Sequence, residues 1–254
     1  MSSAATPPPD RSPHAIDPRT PDGARFLLLQ EDVVLRAQFV AALEREVDAL
    51  AAALARCFSQ FQRLQEGVAV VGSDRAQLIR AFAHGALDDL IVSTKLLLTG
   101  KVAASGNVAR QAVEGIAMAL LCTTDDDLVI QARPQKGDLL GKYWVRVQDV
   151  NDRLVEGQRA VQQLEWNADR LRLPGQWIGQ LAAVQKRFSA ASHAGLLAVS
   201  FRSSFQIPQT VSFGGHFDLE KLTLYRADLL LRAHVAVDLG KVMEHLLTSM
   251  GPSP

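Results

Sequence analysis

Cysteine is almost missing from this chain. Cys57 and Cys122 are its only two, and they form no C-x-x-C pair. That argues against a disulfide framework and against a thiolate zinc site. Both lie in apolar helical pattern, where a buried free thiol is the plain reading. An excess of either charge is missing too, since Lys and Arg total 27 and so do Asp and Glu. A balanced chain lacks the broad basic footprint expected of a nucleic-acid or anionic-membrane binder. No apolar run approaches the length of a membrane span. The N-terminus has no apolar core of the kind a secretory signal needs, so a cytoplasmic protein is expected. The common chemical signatures are also lacking: there is no phosphate-binding glycine loop, no G-x-S-x-G, no H-E-x-x-H, and no E-x-x-H pair for a di-metal bundle. No cofactor is expected.

What is present is helical periodicity. Residues 1–25 hold six of the eleven prolines with Ser, Asp and Thr, and read as a disordered Pro-rich leader. Residues 26–254 read as a single all-α domain, a bundle of about six main helices. A first helical pattern covers residues 26–65 and is closed by Gly67. The next starts at Ser73-Asp74, with Asp74 and Gln77 spaced as a capping box, and stops at Gly100. The helix after it runs over about residues 103–122. The run Thr123-Thr124-Asp125-Asp126-Asp127 reads as a turn feeding a short helix, its acids suiting a helix start better than a cation site. Residues 137–171 read as one long amphipathic helix, and Pro174 opens another. The alternation of Val199, Phe201, Ser203, Phe205 and Ile207 predicts a small hairpin or extended excursion near residues 199–214. Asp218 then caps a closing helix from Leu219 to about Met250. Gly214-Gly215, lying between strand and helix, reads as a turn rather than a phosphate cradle.

The organising stretch is residues 96–121, LLLTGKVAASGNVARQAVEGIAMALL. Surface helices keep a broad polar face, yet residues 108–121 offer only Arg110, Gln111 and Glu114 as strongly polar side chains. The helix is therefore expected to be central. Arg110 and Glu114 fall on one face, either as a guanidinium held for an anion or as a structural clasp. His84 and Asp88 repeat that spacing, as do His234 and Asp238. A carboxylate that orients an imidazole suits acid–base chemistry or metal ligation, but no denser ligand motif supports a metal, and none is expected. Arg187 and His193 bracket the segment RFSAASH. Six helical steps leave these two side chains about 120° apart, so they can share a site only at a helix break or across subunits.

The Arg187/His193 spacing fits the loose R-x4-6-H pattern of HEPN ribonucleases, although Phe188 stands where that family prefers a polar residue. The order of L-L-L-T-G, Arg110-x-x-x-Glu114, S-A-A-S-H at residues 189–193, and F-G-G-H-F-D at residues 213–218 before a long closing helix resembles a group of uncharacterised bacterial helical proteins distantly similar to the HEPN superfamily. The likeness covers about residues 73–250. It implies an all-helical fold and a homodimer, without an agreed activity. The leading expectation is a HEPN-like module with a polar pocket built from Arg110, Glu114 and His193, joined by His84 and Asp88, that binds a small anionic ligand or organises an interface. The alternative is a metal-independent endoribonuclease acting in stress or phage defence. In it Arg187 would stabilise the phosphate charge and His193 would transfer protons, with RNA as the partner.

Overall fold

The computed structural model describes residues 17–192, 195–207 and 210–249, and the chain divides into two compact units, Met1–Val33 and Val34–Pro254. In the first, α1 (Pro21–Leu29) begins ahead of the expected start at residue 26. Proline at its first turn suits helix geometry, and the Thr20 hydroxyl accepts the Gly23 N–H at 3.0 Å.

The second unit is an all-α bundle with a small antiparallel hairpin. Its elements are α2 (Val33–Ala42), α3 (Glu44–Val71), α4 (Asp74–Leu97), α5 (Val102–Leu121), β1 (Leu128–Gln131), β2 (Leu139–Gly141), α6 (Tyr143–Arg146), α7 (Gly157–Trp166), α8 (Gly175–Ser192), α9 (Leu196–Ser200) and α10 (Leu222–Ser249), the last preceded by a 3-10 turn, Leu219–Lys221. Among the described residues no helix is long and apolar enough to cross a membrane.

The hub is α5, which packs against α4, α7, α8 and α10. Its small residues make that possible. Ala109, Ala112 and Ala117 are fully buried, and a methyl group at Gly115 would come within 3.2 Å of the Phe82 carbonyl on α4. The other strong partnership, α3 with α10, closes the bundle over Leu50, Cys57, Leu64, Tyr225, Ala236 and Met243. Burial pushes the two thiols up, Cys57 to about 11 and Cys122 to about 12.

Several boundaries differ from the sequence expectation. The pattern over residues 26–65 is broken between α1, α2 and α3, and Gly67 lies inside α3, which ends at Gly72 in the left-handed region, φ 64°. Ser73, not Asp74, caps α4, its hydroxyl accepting the Ala76 N–H at 3.2 Å. Residues 137–171 are not one helix. They hold β2, α6, a turn segment and α7. The break is made by short acidic side chains that bond the backbone ahead of them: Asp149 accepts the Asn151 N–H at 2.9 Å and Asp152 the Leu154 N–H at 3.0 Å.

The hairpin stands at residues 128–141, where a helix start was expected, with Leu128 opposite Gly141 and an irregularity between Val129 and Gln131. Two buried amides on α7 and its C-cap complete the open edge of β1. Asn167 accepts the Val129 N–H at 2.8 Å and donates to the Val129 carbonyl at 2.9 Å. Gln163 donates to the Ile130 carbonyl at 2.9 Å. Near residues 199–214 the expected hairpin or extended excursion is, among the described residues, a single antiparallel bridge, Ser203 with Val211, while Val199 lies in α9.

Candidate functional site

Arg110 and Glu114 lie on the buried hub helix, where i,i+4 spacing brings the guanidinium Nε to 3.7 Å from a Glu114 carboxylate oxygen. That is an ion pair without a hydrogen bond. Glu114 is buried, and the same oxygen accepts from the Gln185 amide of α8 at 3.1 Å. Its other oxygen would lie 3.3 Å from a methyl group at Gly157, the first residue of α7, where a helix favours negative charge. Glu114 thus joins α5, α7 and α8. Arg110 leans on Asn107 at 3.4 Å. The third charge of the neighbourhood is Asp89 of α4, whose carboxyl is pushed up by burial, then by the nearby charges of Asp88 and Glu114.

The other expected pocket members stand apart. His84 is exposed and lies tilted against Phe61 of α3 with ring centroids 5.5 Å apart, and Asp88 is exposed. Neither makes a hydrogen bond or ion pair with Arg110 or Glu114 among the described residues. His193 lies outside the described residues. His234 is exposed, and Asp238 pairs with Lys241 at 3.7 Å. Among the described residues no three His, Cys, Asp or Glu side chains gather as metal ligands would.

Open space lies in several places. A cavity of about 470 Å³ between α8 and α10 is lined by His234 and Asp238, one of about 240 Å³ lies between α3 and α10, and others gather around Phe201. Three cavities share this half-turn of chain after α9. The first, of about 250 Å³, is lined by Lys101, Arg202, Gly214, Gly215 and His216. A narrow second one, of about 40 Å³, lies between Gly106, Arg187, Phe188 and Asp228. The third, of about 460 Å³, is walled by Arg187, Leu197, Phe205, Lys221, Leu224 and Ala227. Two segments singled out from the sequence, L-L-L-T-G at residues 96–100 and F-G-G-H-F-D at residues 213–218, meet at this end. Gly100, the stop of the L-L-L-T-G segment, has φ 70°, and a methyl group there would sit 2.4 Å from the His216 carbonyl. One at Gly215, φ 125°, would sit 2.1 Å from the Thr99 carbonyl. Both positions demand glycine twice over, by backbone conformation and by contact.

Two buried cations brace this end. Arg232 on α10 is fully buried. Its guanidinium donates to the Asp228 carbonyl at 2.9 Å, to the Ser93 hydroxyl at 3.3 Å and to the Ser105 hydroxyl, and it lies 5.1 Å from the Phe188 ring centroid. Burial pulls its pKa down to about 10, against the opposing pull of Asp228, so it stays charged at neutral pH. Lys221 is buried as well. It donates to the carbonyls of Ser200, Phe201 and Ser203, and its ammonium sits 3.2 Å from His216 Nε2 and 4.6 Å from the centre of the Phe205 ring. Burial lowers the pKa of both Lys221 and His216. Each shift has Asp218 acting against it, and His216 is lowered further by the Lys221 charge.

Arg187 differs from these. Its side chain is 51% exposed, and one terminal nitrogen is held 3.4 Å from Asp228. It stands in the walls of two of the three cavities. Asp228, Arg232 and Lys221 were not singled out from the sequence. Asp228 and Arg232 did carry a signal, the same i,i+4 spacing that drew attention to Arg110 and Glu114.

Comparison with protein-family models, with curated proteins and with solved structures finds no match.

Proposed function

We propose that this chain is a HEPN-like helical binding module that takes a small anion at Arg187, with the Arg110–Glu114 pair serving to hold α5, α7 and α8 in register. One observation carries the reading: Arg187 is a half-exposed guanidinium, oriented by a carboxylate, at the wall of a cleft. A guanidinium has five N–H donors in a fixed fork, and Asp228 engages one nitrogen. The remaining donors are available for a carboxylate or phosphate, and the Asp228 contact reduces the orientational freedom that binding must remove. Arg110, by contrast, is mostly buried, and its neighbour Glu114 is tied up by Gln185. The test is calorimetric titration of the full chain with inorganic phosphate, AMP and acetate, repeated on Arg187→Gln and Arg110→Gln. Binding that weakens at least about tenfold in Arg187→Gln alone supports the reading. Binding lost only in Arg110→Gln moves the site to the hub helix.

The second reading is metal-independent cleavage of RNA, and a specific feature favours it. Arg187, the arginine of the R-x4-6-H spacing, reaches solvent at the wall of a cleft with a carboxylate behind it. Purified protein in EDTA should then degrade RNA, and both Arg187→Ala and His193→Ala should abolish the cleavage. Intact RNA after prolonged incubation leaves the binding module.

A further inference from the structure

The cleft at Arg187 has a chemical character that narrows the ligand further, given the anion reading above. Its volume, about 460 Å³, lies within the ~300–1,000 Å³ typical of small-molecule sites. Most of its wall is apolar: Leu197, Phe201, Phe205, Leu224 and Ala227. Leu197 and Phe205 are 43% and 57% exposed, so a ligand that covers them removes apolar surface from water.

The charged groups are few and unequal. Lys221 lines the cleft, but its ammonium is directed at the carbonyls of Ser200, Phe201 and Ser203 and at the Phe205 ring. It fixes the wall and has no donor to spare. Glu220 is an exposed acid on the same wall, which disfavours a ligand of high negative charge. Arg187 is then the one cation of the lining with free donors. A single guanidinium fork matches one carboxylate, and an apolar slot beside it matches a hydrocarbon body.

We infer that the cleft binds a monoanionic amphiphile, a carboxylate on a medium-length acyl chain, with the head group on Arg187 and the chain along Phe201, Phe205 and Leu224. A nucleotide fits less well. Its di- or triphosphate would need several cations, and Glu220 would oppose it.

The experiment is calorimetric titration of the full chain with decanoate below its micellar concentration, beside decanol, acetate and AMP. Decanoate should bind saturably and at least about tenfold more tightly than either decanol, which lacks the charge, or acetate, which lacks the chain. Arg187→Gln should bring decanoate down to the level of decanol, and Phe205→Ser should weaken decanoate while leaving acetate unchanged. Both side chains are more than half exposed, so each variant should stay folded, and circular dichroism checks this. Decanoate binding no tighter than acetate, or undiminished in Arg187→Gln, overturns the inference. AMP bound through Arg187 without decanoate binding overturns the inference and keeps the anion site. No anion bound through Arg187 removes both.

Discussion

Replacing Asp228 by Asn probes the charge arrangement behind the site with little change of shape. One Asp228 oxygen faces Arg187 at 3.4 Å and the other lies 3.9 Å from the guanidinium of Arg232. The first contact is half in solvent and contributes little to stability. The second lies in the core. Two unit charges about 4 Å apart interact by about 4 kcal/mol at an effective dielectric near 20, and removing one partner of a buried pair costs about 3–5 kcal/mol. Arg232 keeps its bonds to the Asp228 carbonyl, Ser93 and Ser105, so the expected loss is about 2–4 kcal/mol. In a chain of this size that is a drop of roughly 4–16 °C in Tm, read by circular dichroism or urea unfolding. The cause is an uncompensated buried charge, so removing that charge should relieve it. The double variant Asp228→Asn/Arg232→Met should be no less stable than Arg232→Met alone. A loss below about 0.5 kcal/mol, within the range of ordinary surface changes, would refute the reasoning. So would a double variant whose cost equals the sum of the two single changes.

Three further outcomes are expected. Gly100→Ala and Gly215→Ala should each destabilise the fold by more than about 1 kcal/mol, since both force a positive φ on a side chain and drive it into a backbone carbonyl, and urea midpoints check this. Asn167→Ala leaves the Val129 N–H and carbonyl on the hairpin edge unpaired at about 1–3 kcal/mol per group, seen as faster hydrogen exchange over residues 128–131. For His216 the folded-state pKa lies below 6.5, so the unfolded chain binds the proton first and stability rises with pH through that window. The stability difference between wild type and His216→Gln should therefore shift against wild type as pH falls from 7.5 to 5.5. A difference independent of pH contradicts the assignment. Asp89 acts in the opposite sense, its raised carboxyl adding stability as pH falls, and it is common to both proteins.

Local signals and distant ones fared differently. The run of small and apolar residues in α5 announced a central helix, because a helix without a broad polar face has to be covered on every side. The Ser73-Asp74 pair and Gly100 marked the ends of α4, although the capping side chain is Ser73 and not the expected Asp74, because caps and left-handed turns depend on a few neighbouring residues. The all-helical class followed from the same kind of evidence. The hairpin at residues 128–141 was not legible, although Leu128, Val129 and Ile130 form a short apolar run. Its edge is completed by Asn167 and Gln163, more than 30 residues away. No periodicity encodes such a pairing. Residues 137–171 misled for a related reason. Their apolar positions suit a helix, but Asp149 and Asp152 offer the backbone better local partners. The neighbourhood of the candidate site was legible as residue types and not as geometry. Arg187 and Glu114 stood out, whereas their partners Asp228 and Gln185 come from other helices. Arg232 reads as an ordinary charged residue of α10 until Ser93 of α4 and Ser105 of α5 close around it.

The most direct test of the account is the side-chain Nε–H resonance of each arginine in a 15N-labelled sample titrated with decanoate. The Arg187 signal should shift saturably while that of Arg110 stays in place. A saturable shift at Arg110 with none at Arg187 would contradict it.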